Sequence, residues 1–272
     1  MRGAVQSGDI RVSPKKAGSA RKYPGGLEAS WKERIEYVER LVDLKDISDG
    51  RLYSRDDLVR AGCGNCEACS ACCQGMGTSL VLDPLDVDRL CRGLGSTFQA
   101  LLQGPLELGA ADGIILPHMA MKGEKERCSF LNEEGRCGIH SLRPGFCRLF
   151  PLGRFYENRS FRYFLQIHEC PRKNRTKVRV SKWLDTPDIG KYEEFVSRWH
   201  YFLKDTGELL RQKQDQELAK KVCVYILERF YGMPYNGEFY SVFYERLTEA
   251  ERLFACSRSG DGEIAPDTRT GQ

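Results

Sequence analysis

The chain has 272 residues, 41% hydrophobic and 29% charged, with a formal net charge of +4. These proportions describe a globular protein large enough to bury a core without covalent staples. So small a positive surplus argues against a nucleic-acid partner, and no stretch approaches the roughly 20 apolar residues of a membrane-spanning helix.

Residues 1–27 are rich in Gly, Ser, Lys and Arg and read as a disordered tail. They contain no apolar segment of the secretory type, so the expected compartment is the cytoplasm. Trp31, Ile35, Val38, Leu41 and Val42 recur at helical spacing and predict an amphipathic helix over about 29–45. A short helix over about 55–61 follows, with Ser54 as N-cap and Asp56 and Asp57 in its first turn. Residues Thr78–Leu82 read as a strand. Asp83-Pro84 then starts a helix through Leu85, Val87, Leu90 and Cys91, which Gly93 and Gly95 end.

Ile114–Leu116 reads as a strand, and Leu152–Ile167 as a hairpin around Glu157-Asn158-Arg159-Ser160. The basic stretch Pro171–Trp183 is more simply a strand with one wet face than a site for RNA or an acidic partner. From Pro187 to Cys256 the pattern is helical, with Tyr192, Phe195, Val196, Trp199 and Phe202 on one face. Leu218, Val222, Tyr225, Ile226 and Phe230 make a second face, and Phe239, Phe243, Leu247, Leu253 and Phe254 a third. Such stripes are core far more often than cofactor sites.

The expected fold class is α+β: an irregular cysteine-rich centre with short strands, flanked by N-terminal helices and a C-terminal helical bundle. The expected organisation is a tail over 1–27, a cysteine-cluster domain with N-terminal helices over 28–185, a helical region over 186–257 and a tail over 258–272.

Twelve cysteines carry the chemistry, five of them (Cys63, Cys66, Cys69, Cys72 and Cys73) within eleven residues. In a reducing compartment such density points to metal rather than to a disulfide framework. Thiolates suit soft or borderline metals, and two-residue gaps let successive thiols converge, as in ferredoxin loops. Five ligands exceed one tetrahedral set, and neighbouring Cys72 and Cys73 do not easily aim at one metal, so at least one thiol is expected to be spare or to serve a second centre. Cys128, Cys137, Cys147 and Cys170 are the candidates to complete the set, with Gly135 allowing a turn that joins Cys128 to Cys137.

Arg143, Arg148 and Arg154 are candidates to offset thiolate charge. His140 and His168 are the histidines nearby; His140, three residues after Cys137, is a candidate ligand but reads more simply as a hydrogen-bonding or structural residue, since cysteines are plentiful. Cys91, Cys223 and Cys256 lie among apolar neighbours on predicted helices and read as packing residues.

Cys66-x2-Cys69-x2-Cys72-Cys73, Cys128-Ser129-Phe130-Leu131, Cys137-Gly138-Ile139-His140 and Arg143-Pro144-x2-Cys147-Arg148-x2-Pro151 together resemble the YkgJ family, or CxxCxxCC domain, described as zinc- or iron-chelating. The resemblance spans roughly residues 62–172 and leaves Cys63 as an addition to the pattern. Some members are named flagellin lysine N-methylase. That branch implies an iron–sulfur cluster, S-adenosylmethionine as methyl donor and a protein substrate for a protein-lysine N-methyltransferase-like activity.

No G-x-G-x-x-G loop is present, nor is the C-x3-C-x2-C run of common radical enzymes. The leading expectation is one or two iron–sulfur clusters of the 4Fe–4S type, held by ligands drawn from Cys66, Cys69, Cys72, Cys73, Cys128, Cys137, Cys147 and Cys170, with Cys63 as a further candidate. The alternative is a structural zinc module that presents a surface to a protein partner. A thiol–disulfide exchange enzyme fits less well, because the CxxC pairs lack a βαβ setting.

Overall fold

A computed structural model describes residues 9–11, 44–64 and 69–259 of the chain. In chain order these form β1 (Asp9–Arg11), α1 (Leu44–Ile47), β2 (Leu58–Gly62), α2 (Pro84–Leu94), α3 (Phe98–Leu102), β3 (Leu106–Ala111) and β4 (Ile114–Met119). Next come β5 (Met121–Lys122), β6 (Arg127–Cys128), α4 (Gly145–Leu149), β7 (Leu152–Glu157), β8 (Ser160–Leu165) and β9 (Thr176–Arg179). The C-terminal part holds α5 (Val180–Leu184), α6 (Ile189–Lys213), α7 (Gln216–Ile226) and α8 (Phe239–Ser259). The fold is α+β. The tails expected over 1–27 and 258–272 and the helix over 29–45 fall almost wholly outside the described residues.

The described residues sort into two compact units. One takes the chain up to Leu80 and Met119–Ser197; the other takes Val81–His118 and the chain from Arg198 on.

In the first unit β7 and β8 form a hairpin in which Leu152 pairs with Leu165 and Glu157 with Ser160, and β1 adds to the other side of β7. Asn158 and Arg159 both take positive φ, 51° and 58°, as a two-residue turn matched to strand twist requires. Gly153 faces Phe164 across this ladder. A methyl group there would run into the Phe164 ring, with Cε1 at 2.6 Å, so the missing side chain leaves room for a fully buried aromatic. Tyr53, Val59, Leu149, Leu152, Tyr163, Val180 and Leu184 pack together as the core.

Three expectations are corrected along the chain. The segment over 55–61 is not a helix: it contains β2, whose Val59 and Ala61 are buried while Leu58 is exposed. The Asp57 carboxylate accepts from the N–H and hydroxyl of Ser54, at 2.7 and 2.9 Å, and this closes a turn instead of capping a helix. The alternating residues then find their partner in β9, with Val59 opposite Val178. The basic stretch Pro171–Trp183 is extended only over Thr176–Arg179; it then turns into α5, which buries Val180 and Leu184. The strand expected over Thr78–Leu82 is reduced to an isolated bridge from Val81 to His118.

In the second unit α2 begins as its sequence predicts. The Asp83 side chain accepts the Asp86 N–H and the Asp86 side chain accepts the Asp83 N–H, a reciprocal cap in front of Pro84. Gly95 ends the helix at φ 58°, where a side chain would be disfavoured. The strand expected over Ile114–Leu116 is present as β4, whereas helix α3 and the partner strand β3, joined to β4 by a turn at Asp112-Gly113, were not anticipated. The aromatic stripes are core: Trp199 lies 4.9 Å from Phe230 and 5.9 Å from Phe243, and Phe202 stacks on Phe254. No helix among the described residues is long and apolar enough to cross a membrane.

Candidate metal centre

The thiols of the first unit are brought together by backbone pairing between distant stretches. Cys72 and Cys73 sit on a single 3-10 turn, Ala71–Cys73, closed by the Cys73 N–H on Ser70 O at 2.9 Å. Directly after it, Gln74 bridges Arg127 in antiparallel fashion, and the Gly75 N–H donates to Glu126 O at 3.0 Å. The next pair along that register is Cys73 and Cys128. From Cys128 the chain folds back on itself: Asn132 N–H donates to Arg136 O at 2.9 Å and Gly138 N–H to Phe130 O at 2.8 Å, with Gly135 at φ 72° in the turn. The turn expected at Gly135 thus returns Cys137 to the neighbourhood of Cys128. Cys147 follows on α4.

The electrostatics report the same grouping. The Cys73 thiol is pushed up, first by a hydrogen bond with the Cys72 side chain, then by burial, then by the charges of Cys72, Cys147 and Cys128. Burial also raises the Cys128 thiol, against a hydrogen bond from the Phe130 N–H, with Cys137 and Cys72 raising it further. Cys137 is raised by burial and by Cys72, while the Ile139 N–H and the Arg143 and Arg136 guanidiniums pull it down. Cys72, Cys73, Cys128, Cys137 and Cys147 therefore form one neighbourhood. Adjacent Cys72 and Cys73 turn toward one another in it.

The charges around Cys170 are different ones. Burial raises its thiol, the Arg172 N–H donates to it, and the charges it senses are those of Cys63, Arg175 and Cys69. Cys91 and Cys223 stand outside both groups; Cys223 Sγ accepts the Ile115 N–H at 3.4 Å. Cys66 and the Cys256 side chain lie outside the described residues.

Of the basic residues, Arg143 lies beside Cys137 and donates to His140 O at 3.1 Å. Arg148 instead braces the loop, with its guanidinium on the carbonyls of Arg143, Ser141 and Asp185 at 2.8, 2.6 and 2.7 Å. Arg154 is buried among tyrosines, donating to Tyr192 Oη at 3.0 Å with its guanidinium over the Phe161 ring. It is therefore no neighbour of the thiols. Burial, then the charges of Arg143, Arg136 and Arg148, lower the pKa of His140, and its Nε2 is buried without a hydrogen-bond partner. His168 is exposed.

The arrangement is a donor set in waiting. Among the described residues no three His, Cys, Asp or Glu side chains are already focused on one point. Cys73, Cys128 and Cys137 resist ionisation, Cys73 first through its hydrogen bond with Cys72 and the other two first through burial, with the charges of neighbouring thiols adding to each. A cation reverses that preference, and binding it would release the thiol protons. N–H donors on two of the sulfurs, with Arg136 and Arg143 alongside, suit the sulfurs in their charged form.

Residues 65–171 match the CxxCxxCC family, "Putative zinc- or iron-chelating domain". The chain carries a CxxCxxCC domain of the YkgJ type. No curated protein and no solved structure matches it. The CxxCxxCC domain encloses the whole five-thiol neighbourhood and ends one residue after Cys170, while Cys63 precedes it. The residues that sequence reasoning missed are Arg136 and Arg175 and the N–H donors of Phe130, Ile139 and Arg172. Each N–H comes from the second residue after its cysteine, a position carrying no distinctive side chain.

Proposed function

We propose that the CxxCxxCC domain holds an iron–sulfur cluster among Cys72, Cys73, Cys128, Cys137 and Cys147. The observation that carries this is the composition of the neighbourhood: five sulfur donors gathered from three stretches of chain, with N–H groups and guanidiniums around them. An all-thiol set of this kind suits iron–sulfur ligation, in which such donors help set the potential. A bound cluster would supply one-electron redox chemistry. The residues of the chain would ligate it, shield it by burial and offset its negative charge through Arg136, Arg143 and the Phe130 and Ile139 N–H groups.

A thiol set of this kind needs a reducing compartment, in keeping with a cytoplasmic protein. Lysine N-methylation with S-adenosylmethionine, and a protein substrate for it, rest on the family resemblance alone.

The test is metal and acid-labile sulfide analysis of anaerobically purified full-length protein, with its visible spectrum. Iron and sulfide in matching amounts, with a band that bleaches on reduction, are expected. A colourless protein with stoichiometric zinc would replace this reading with the structural zinc module.

A further inference from the structure

We propose that the solvent face of the β2–β9 pair is a docking surface for an acidic segment of a partner protein. The face lies outside the five-thiol neighbourhood and does not depend on which metal that neighbourhood holds.

The register assembles this face. Leu58 opposes Arg179 and Val59 opposes Val178; the ladder then shifts so that Gly62 opposes Thr176, and Arg60 and Ala61 together face Lys177. Alternation turns Val59 and Ala61 into the core and leaves Leu58 and Arg60 exposed. On β9 Val178 is half-buried, while Lys177 and Arg179 are exposed. Three cations from stretches more than a hundred residues apart thus share one face with Leu58. Val59, Ala61 and, just beyond β9, Val180 belong to the packed core and hold both strands in place beneath them.

Like charges brought together across a ladder repel, and little in the chain offsets them. Between Pro171 and Leu184 there are six cationic side chains and no carboxylate. Asp56 reaches Arg179 only at 3.8 Å and is itself 73% exposed, a pair worth little in water. Among the described residues no carboxylate pairs with Arg60 or Lys177.

Charge that only deters edge-to-edge pairing would not surround an exposed apolar side chain, and Leu58 is 58% exposed. Cations around one leucine complement a protein segment that carries carboxylates and an apolar side chain. Lys177 and Arg179, two residues apart on a strand, lie about 7 Å from each other, the spacing of alternate carboxylates in an extended partner. Nucleic acid fits less well, because single strands need aromatic platforms. The one aromatic side chain between Pro171 and Leu184, Trp183, is half-buried and donates its N–H to Phe150 O at 3.1 Å.

The test uses full-length protein and a short fluorescent peptide with glutamate at alternate positions around one leucine, followed by anisotropy. Wild type should bind it, with affinity falling as salt rises, and should bind the same peptide with lysine in place of glutamate far more weakly. R60E/K177E/R179E should weaken binding of the glutamate peptide by about tenfold or more. Leu58→Ser should weaken it with the salt dependence unchanged. All four positions are exposed, so the variants should keep the wild-type thermal transition and metal content, which separates this outcome from that of the metal reading.

A second readout needs no variant. Lysine acetylation of wild type is followed by mass spectrometry, and the peptide should protect Lys177 while the exposed Lys213 and Lys220 stay reactive. Absence of binding, binding that the triple variant retains, or equal protection of all three lysines would overturn the proposal. Tighter binding of a single-stranded oligothymidylate or of phosphatidylserine vesicles than of the peptide would overturn it in favour of nucleic acid or membrane.

Discussion

Removing the Arg148 side chain should unlock the loop that carries Cys137 and Cys147. Arg148 is 9% exposed, and its guanidinium spans three carbonyl oxygens at 2.6–2.8 Å. A hydrogen bond involving a charged group is worth about 1.5–3 kcal/mol. Water recovers part of that for carbonyls near the surface, and the three bonds come from one side chain and do not add in full. Arg148→Ala should therefore cost about 3 kcal/mol in the local stability of residues 139–148.

The assay is native-state hydrogen exchange on the metal-free, full-length protein. It would follow the amides of Leu142 and Arg148, bonded to Ile139 O and Pro144 O at 2.8 and 3.0 Å. Three kcal/mol corresponds to about a 100-fold loss of protection, while the amides of the β7–β8 hairpin should change far less. Arg148→Lys should fail to rescue, because one ammonium cannot span the fork that three carbonyls demand. Protection of Leu142 and Arg148 within about threefold of wild type in the Ala variant would refute the reasoning.

Three other outcomes follow from particular contacts. Gly153→Ala drives a methyl into the Phe164 ring and should destabilise by about 1–3 kcal/mol; G153A/F164L should recover most of this in thermal unfolding. Asp83→Ala removes the reciprocal cap of α2 and should cost about 1 kcal/mol, read as faster exchange at the Asp86 and Val87 amides. Burial, then the hydrogen bond to Asp49, push Tyr53 up to about 12, and burial raises Tyr163 as well. A folded-state value above the unfolded one near 10 gives stability that is complete below pH 10 and lost as pH rises through 12. Urea midpoints should therefore fall from pH 10 upward, and less steeply in Tyr53→Phe.

Where a signal was local, the sequence carried it. Asp83-Pro84 announced both the cap and the first helical residue, and Asn158-Arg159 marked a turn because the residues around it alternate in strand fashion. Asp112-Gly113 held an equally local hairpin signal that went unread. Leu58 and Val59 were misassigned for a different reason. Two acidic residues after a serine look like the start of a helix, and the strand that claims Val59 lies beyond residue 175.

The donors of the metal centre were legible as residue types, since nothing else explains so many cysteines. Their division was not. Which thiols meet depends on register such as Gln74 opposite Arg127, and spacing along a chain does not encode which distant segments pair.

The bridge between Gln74 and Arg127 also sets an order of events during synthesis. The thiols at 72 and 73 leave the ribosome before their partner at 128 exists, and the last member of the group, at 147, comes 75 residues after Cys72. At roughly 5–20 residues per second that interval is about 4–15 s. Throughout it the early cysteines lack that partner, and any that are reduced can capture whichever soft ion arrives first. Under the proposed metal binding, correct loading is therefore a contest between translation rate and metal supply, and a cell that slows the first or floods the second should mismetallate the protein.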